Sequence, residues 1–279
     1  MLGAAILLQQ KRSELDGKVR IIFQPAEEIA QGARLIAQSG ALEGVEAIFG
    51  MHNKPDLPVG TIGVREGALM ASVDRFQIAV LGVGGHAGIP EQNIDPIVVA
   101  SQIVTSLQTI ISRNISPFHQ AVISVTRLQA GNTWNVIPDR AEMEGTVRTF
   151  QNEDRKQIRE YMKRTAEGVA AGFGAQIDFH WDDYLPVVDN SPQFTEFATL
   201  AATELGYQVV HAEQSPGGED FAFYQMQIPG FFVWMGTEGT HEWHHPSFTL
   251  HEDALVVAAE YFAHLALKVL DQWDNLPKR

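Results

Sequence analysis

The chain has 279 residues, 45% of them hydrophobic, enough to bury a substantial core and long enough for two domains rather than one. Twenty basic against 34 acidic side chains leave a net charge of −14, which favours solubility and excludes the sequence-independent nucleic-acid binding that Lys and Arg provide. No apolar run approaches the ~20 residues of a membrane span, the first twelve residues lack the basic lead and cleavage site of a secretion signal, and there is no cysteine. Disulfides and thiolate catalysis are thereby excluded, and a cytoplasmic location is expected.

The chain opens on Leu2, Ala5, Ile6 and Leu8 at helical spacing with no capping residue ahead of them. A helix entered partway is predicted, and the beginning of its domain is expected to lie upstream. A buried strand is predicted over 19–23, a helix over 29–39 and a second strand over 45–51. From 72 the pattern changes. Phe76, Ile78 and Val80 alternate with polar or small residues, and Ile97, Ala100, Val104, Leu107 and Ile111 mark one face of a helix. Alternation returns over 121–128 and 142–148, a second amphipathic helix runs through Ile158, Met162 and Val169, and Ile177, Phe179 and Trp181 end on a strand. The order is β-α-β-β-α-β, that of a ferredoxin-like unit. Beyond it a helix over 193–205, strands over 207–212 and 231–235, and a long helix over 253–270 resume the earlier style. The expected fold class is α/β: a catalytic domain with a largely parallel sheet, residues 1–71 and 185–279, interrupted by an inserted βαββαβ domain, residues 72–184.

Three groups of ionisable residues follow three strands predicted for the α/β domain. Glu27 and Glu28 come after 19–23, His52 after 45–51, and His241, His244, His245 and His251 surround the loop after 231–235. Ligands of open α/β sheets bind beyond the carboxyl ends of the strands, so these groups are expected to meet at one edge. Carboxylate oxygen and imidazole nitrogen suit zinc, manganese or a neighbouring ion. In an extended segment adjacent glutamates point apart, so one would bind metal while the other takes a proton from water. Taken alone, Glu27-Glu28 reads more simply as a solvated pair ahead of a helix; the convergence of three groups brings the chemical reading level with the structural one. In the inserted domain, Gly84-Gly85-His86-Ala87-Gly88 presents a histidine on a tight turn, where it would otherwise only cap the helix near Asp95. Asn135 follows Trp134. Arg148 lies on the polar face of its strand, where an ion pair with Glu142 or Glu144 is the simplest expectation.

The segments Phe23-Gln24-Pro25-Ala26-Glu27-Glu28, Gly50-Met51-His52, Gly84-Gly85-His86-Ala87, Asn135-Val136-Ile137-Pro138, Gly145-Thr146-Val147-Arg148 and His244-His245-Pro246 occur in this order. Together they resemble the M20 metallopeptidase superfamily, in its aminoacylase, hippurate hydrolase and indole-acetyl-amino-acid hydrolase branch. The resemblance implies metal-dependent hydrolysis of N-acyl amino acids by a site of two divalent ions, zinc or manganese, with nickel or cobalt as alternatives. It implies Glu27 as general base and Glu28, His52 and His244 as metal ligands, His244 being chosen because it stands two residues before a proline. His86 would polarise the scissile carbonyl from a lid that also forms a homodimer. Asn135 and Arg148 would hold the substrate, Arg148 through its carboxylate. Gly218-Glu219-Asp220-Phe221 fits the branch as well, with no catalytic role implied and support behind the ligands expected. The branch's Cys-Gly-His-Asp-x-His segment, which carries further ligands, is absent from this sequence, so the chain by itself is expected to be inactive. A dipeptidase of the same superfamily and a non-catalytic fragment that binds or oligomerises are the rival readings.

Overall fold

The structure, a computed structural model, describes residues 1–273. In chain order it contains α1 (Leu2–Gln10), α2 (Gly32–Gln38), β1 (Ile48–Lys54), β2 (Thr61–Val64), β3 (Gly67–Met70), β4 (Ser72–Leu81), β5 (Gly85–His86), α3 (Pro96–Asn114), β6 (Ala121–Ala130), β7 (Val136–Ile137), β8 (Arg140–Thr149), α4 (Asn152–Gly172), β9 (Gln176–Leu185), β10 (Val188–Asn190), α5 (Thr195–Thr203), β11 (Gln208–His211), α6 (Ala222–Gln225), β12 (Gly230–Gly236) and α7 (Asp253–Asp271). It divides into unit 1, residues 1–69, 188–215 and 219–279, and unit 2, residues 70–187 and 216–218. Among the described residues no helix is long and apolar enough to cross a membrane.

Unit 1 is built on a four-stranded sheet in the order β1-β12-β2-β11. The expectation of a largely parallel sheet needs correction. β1 with β12 and β2 with β11 are parallel pairs, but β12 and β2 run antiparallel. Residues 55–60 are too few for the ~12-residue crossover that a parallel return requires, so the chain leaving β1 reverses into β2. Residues 19–23 are also not a strand; Val19 and Phe23 are exposed. An apolar β-branched run becomes a strand only where a neighbour offers its ladder, and among the described residues none pairs with it.

Side chains alternate across β12. Phe231, Val233 and Met235 join Ile62, Phe197, Ala201, Val257, Tyr261 and Leu265 in a core covered by α5 and α7. Phe232 and Trp234 face the other way, and Trp234 stands opposite His52 in the β1–β12 register. Gly50 makes that packing feasible, because a Cβ there would lie 2.7 Å from the Phe232 ring and 2.8 Å from Phe221. Helices thus cover one face of the sheet, and His52 stands on the opposite face.

Unit 2 holds a four-stranded antiparallel sheet in the order β6-β8-β4-β9. Strict alternation in β8 sends Ala141, Met143 and Val147 into a core with Phe76, Ile78 and Val80 from β4, Ile103 and Leu107 from α3, and Ile158 and Met162 from α4. The N-terminus of α3 is capped by the Asp95 carboxylate, which accepts from the Ile97 amide at 2.9 Å. His86 therefore has no capping role. The opposite face of the sheet carries ion pairs, in which Glu144 meets Arg75 and Arg127, and Glu142 meets Arg140.

Candidate metal centre

Glu27 and Glu28 do not lie in an extended segment as expected. They open a 3-10 turn, Glu27–Ile29, between Ala26 at φ 58° and Ala30 at φ 54°. His52 lies inside β1 rather than just beyond a strand. His244 sits in the loop after β12 with φ 63°, in the left-handed region that non-glycine residues rarely occupy.

All these residues belong to unit 1, and the fold brings them together. Nε2 of His244 is 4.0 Å from Oε2 of Glu28. The His52 ring feels the charges of both Glu28 and His244. Its Nδ1 lies 2.8 Å from the Asn53 carbonyl oxygen. A carbonyl only accepts, so Nδ1 carries the proton and the Nε2 lone pair is left for a ligand. Burial, the largest cause, holds the His52 pKa below its ordinary value and favours the neutral, ligating form.

The loop that carries His244 is pinned beside His52 by Trp243. The indole ring makes an edge contact with His52 at 4.7 Å between centroids. Its Nε1–H donates to the carbonyl and the side-chain oxygen of Asn53, at 2.9 and 3.1 Å. One backbone oxygen thus orients a histidine on β1 and anchors the loop that bears the other. Sequence reasoning missed Trp243; its only signal was an aromatic between two polar neighbours in a histidine-rich loop.

A tighter group of acidic oxygens, all within 4.8 Å of one another, is formed by Glu27, Glu219 and Asp220. Glu219 is 6% exposed and Asp220 fully buried. Both Asp220 oxygens are occupied, one accepting from Gln24 Nε2 at 2.6 Å and the other from the Ala33 amide at 3.0 Å. Glu219 accepts from the Phe221 amide at 3.2 Å. Burial, followed by the nearby Glu27 charge, pushes Glu219 up to about 8. It holds a proton at neutral pH and shares it with Asp220, so the trio is joined by hydrogen bonds. Glu27 is raised as well, first by burial and then by Asp220 and Glu28. A carboxylate with its pKa moved toward neutrality is suited to general-base work.

In unit 2, β5 and β7 place His86 opposite Val136, and the Ala87 amide donates to the Asn135 carbonyl at 3.1 Å. His86 and Asn135 therefore lie together at one small two-stranded sheet. Nδ1 of His86 accepts from the Gly88 amide at 2.9 Å, so the neutral ring carries its proton on Nε2 and presents it as a donor. Arg148 makes neither of the ion pairs expected of it. Its Nη1 donates to the Thr146 hydroxyl and the Val147 carbonyl.

The model of Peptidase family M20/M25/M40 matches residues 1–268. The chain belongs to that family. It is 66% identical to N-acetylcysteine deacetylase of Bacillus subtilis (strain 168) over 97% of its own length and 71% of the relative's. It is 43% identical to N-acetyl-L-cysteine deacetylase of the same organism, over 97% and 65%. Among solved structures it superposes on the Bacillus subtilis YXEP protein, a dinuclear metal-binding peptidase of the M20 family, with a TM-score of 0.86 and 62% identity, covering 96% of this chain and 70% of that one. Membership places the chain among the metal-dependent hydrolases of N-acyl amino acids. The donors present fit such an ion: a carboxylate and an imidazole 4.0 Å apart, and a second imidazole whose free nitrogen is set by its own hydrogen bond.

Proposed function

We propose that this M20 hydrolase cleaves the amide bond of small N-acyl amino acids, N-acetylcysteine foremost, with Glu28, His52 and His244 supplying part of the ligand set of a two-ion zinc or manganese site that the Cys-Gly-His-Asp-x-His segment completes. The observation that carries the reading is the grouping of Glu28 and His244 with His52 in the tautomer that leaves Nε2 free. When bound, the ions supply the Lewis acidity that lowers the pKa of water. Glu27, half-buried and raised toward neutrality, takes a proton from the attacking water and delivers it to the departing nitrogen. The products are a carboxylate and a free amino acid.

Unit 2 is read as a ferredoxin-like lid, a fold supported by the strand order and two covering helices described above, and as the part through which the protein forms a homodimer. In this reading the Nε2–H of His86 donates to the acyl oxygen as negative charge develops there. Asn135 holds the amide, and Arg148 binds the substrate carboxylate with its planar fork of donors. The similarity to two N-acetylcysteine deacetylases supports the choice of acyl group and side chain.

Hydrolysis of N-acetylcysteine, hippurate and simple dipeptides by the protein joined to the family's Cys-Gly-His-Asp-x-His segment, measured with zinc and with manganese, tests the proposal. N-acetylcysteine is expected to have the highest kcat/KM. A preference for dipeptides, or turnover that survives removal of divalent ions, would overturn it.

A further inference from the structure

The turn that bears Glu27 and Glu28 is strained and has little packing of its own. Ala26 and Ala30 both have positive φ, a left-handed backbone conformation that an L-residue adopts only under strain. Ile29, between them, is 54% exposed, and of these three residues only the small Ala30 side chain is buried, so burial contributes little to holding the turn down. Its internal ties are the Ala30 amide to the Glu27 carbonyl at 2.7 Å, and the Gln31 and Gly32 amides to the Ala26 carbonyl at 3.3 Å. The chain closes on itself so tightly that a Cβ at Gly32 would fall 1.6 Å from the Pro25 carbonyl oxygen. A shape of this kind persists only when surrounding groups over-determine it.

One residue outside the turn grips it at three points. Asp220 Oδ1 accepts from Gln24, ahead of the strained segment, and Oδ2 accepts from the Ala33 amide behind it. The Asp220 backbone N–H donates to the carboxylate of Glu27 itself. Gln24 is in turn fixed by Tyr224, whose hydroxyl donates to Gln24 Oε1 at 2.8 Å. The amide thereby has its oxygen toward Tyr224 and its nitrogen toward Asp220.

We propose that Asp220 is a positioning residue whose buried carboxylate clamps both flanks of the Glu27–Glu28 turn and holds the base and the metal ligand in place. The proposal rests on the roles given above to Glu27 and Glu28. Asp220 acts through Gln24, Ala33 and Glu27, its partners before, behind and within the turn. An Asp is required because two donors, Gln24 Nε2–H and the Ala33 N–H, converge on it. Asn would offer one acceptor and turn an N–H group toward a donor.

The test is Asp220→Asn in the full chain, followed by amide hydrogen exchange, thermal unfolding and zinc titration. Exchange of residues 26–33 is expected to accelerate at least tenfold while β12 and α7 keep their protection, and zinc affinity is expected to fall at least tenfold. Adding Ala30→Gly, which adopts positive φ without the Cβ penalty, should recover part of both losses. Unchanged exchange over 26–33, or protection lost evenly across unit 1, would overturn the clamp. A loosened turn with unchanged zinc affinity would reduce Asp220 to a structural brace and overturn the positioning role. If the unsubstituted chain takes up no zinc, the metal-site reading fails, and the exchange data with the Ala30→Gly rescue decide the clamp by themselves.

Discussion

In unit 2 the buried carboxylate of Asp74 is held by two nitrogens of Arg155, at 2.8 and 2.6 Å, whereas in unit 1 the carboxylates of Glu27, Glu219 and Asp220 stand within 4.8 Å of one another. Even with its bidentate partner Asp74 has a raised pKa, because burial outweighs the pairing. In unit 1 burial and mutual repulsion act in the same direction, and Glu219 reaches about 8. A fold seeking only stability would match such acids with cations or replace them with apolar residues. Their concentration around Glu27 marks the region where chemistry, rather than stability, set the composition.

Among these acids Glu27 carries the largest expected effect. Glu27→Gln removes the base and keeps the shape, so in the protein joined to the Cys-Gly-His-Asp-x-His segment kcat for N-acetylcysteine should fall about 10²–10⁴-fold. Metal content, read by elemental analysis, should stay the same; loss of metal would make Glu27 a ligand. The corresponding break in unit 2 is Arg155→Met, which leaves Asp74 buried without its partner. Denaturant titration should show a loss of about 3–5 kcal/mol, and a loss under 1 kcal/mol would mean that Asp74 finds another donor or stays protonated.

Glu219 gives a pH signature. Its folded pKa of about 8 lies above the ordinary 4.5, so the folded state holds a proton that the unfolded state has released. That contribution is fully present below pH 4.5 and is lost as pH rises toward 8, by up to about 1.4 kcal/mol per pH unit. Glu219→Gln keeps a donor toward Asp220 and should flatten this slope in thermal unfolding across the window. An unchanged slope would assign the proton elsewhere.

Two smaller effects separate the units by function. Arg148→Lys should raise KM about tenfold for N-acyl amino acids and far less for their amides, which lack the carboxylate; equal rises would return Arg148 to a structural role. Trp243→Phe keeps the ring against His52 and removes the N–H to Asn53. Zinc affinity should weaken up to about tenfold, the lower end for groups that orient a metal-bound histidine. Unchanged affinity would mean that the ring contact alone holds the loop.

The sequence by itself determined most of unit 2. Alternation over β4, β8 and β9 and the apolar faces of α3 and α4 are local patterns, and burial on one side of a sheet enforces them residue by residue. The long helix α7 was legible for the same reason, and the residues of the candidate site were legible because six short motifs fall in order. Tertiary structure alone decided that residues 19–23 are not a strand, that β2 reverses the sheet, and that Glu27–Glu28 lies in a strained turn. Pairing, direction and strain depend on neighbours distant in sequence. The same holds for Asp220, which reads as one acid in Gly218-Glu219-Asp220-Phe221. Only folding brings it to Gln24 and Ala33, about 190 residues away, where a solvated carboxylate becomes a buried acceptor with two donors to satisfy.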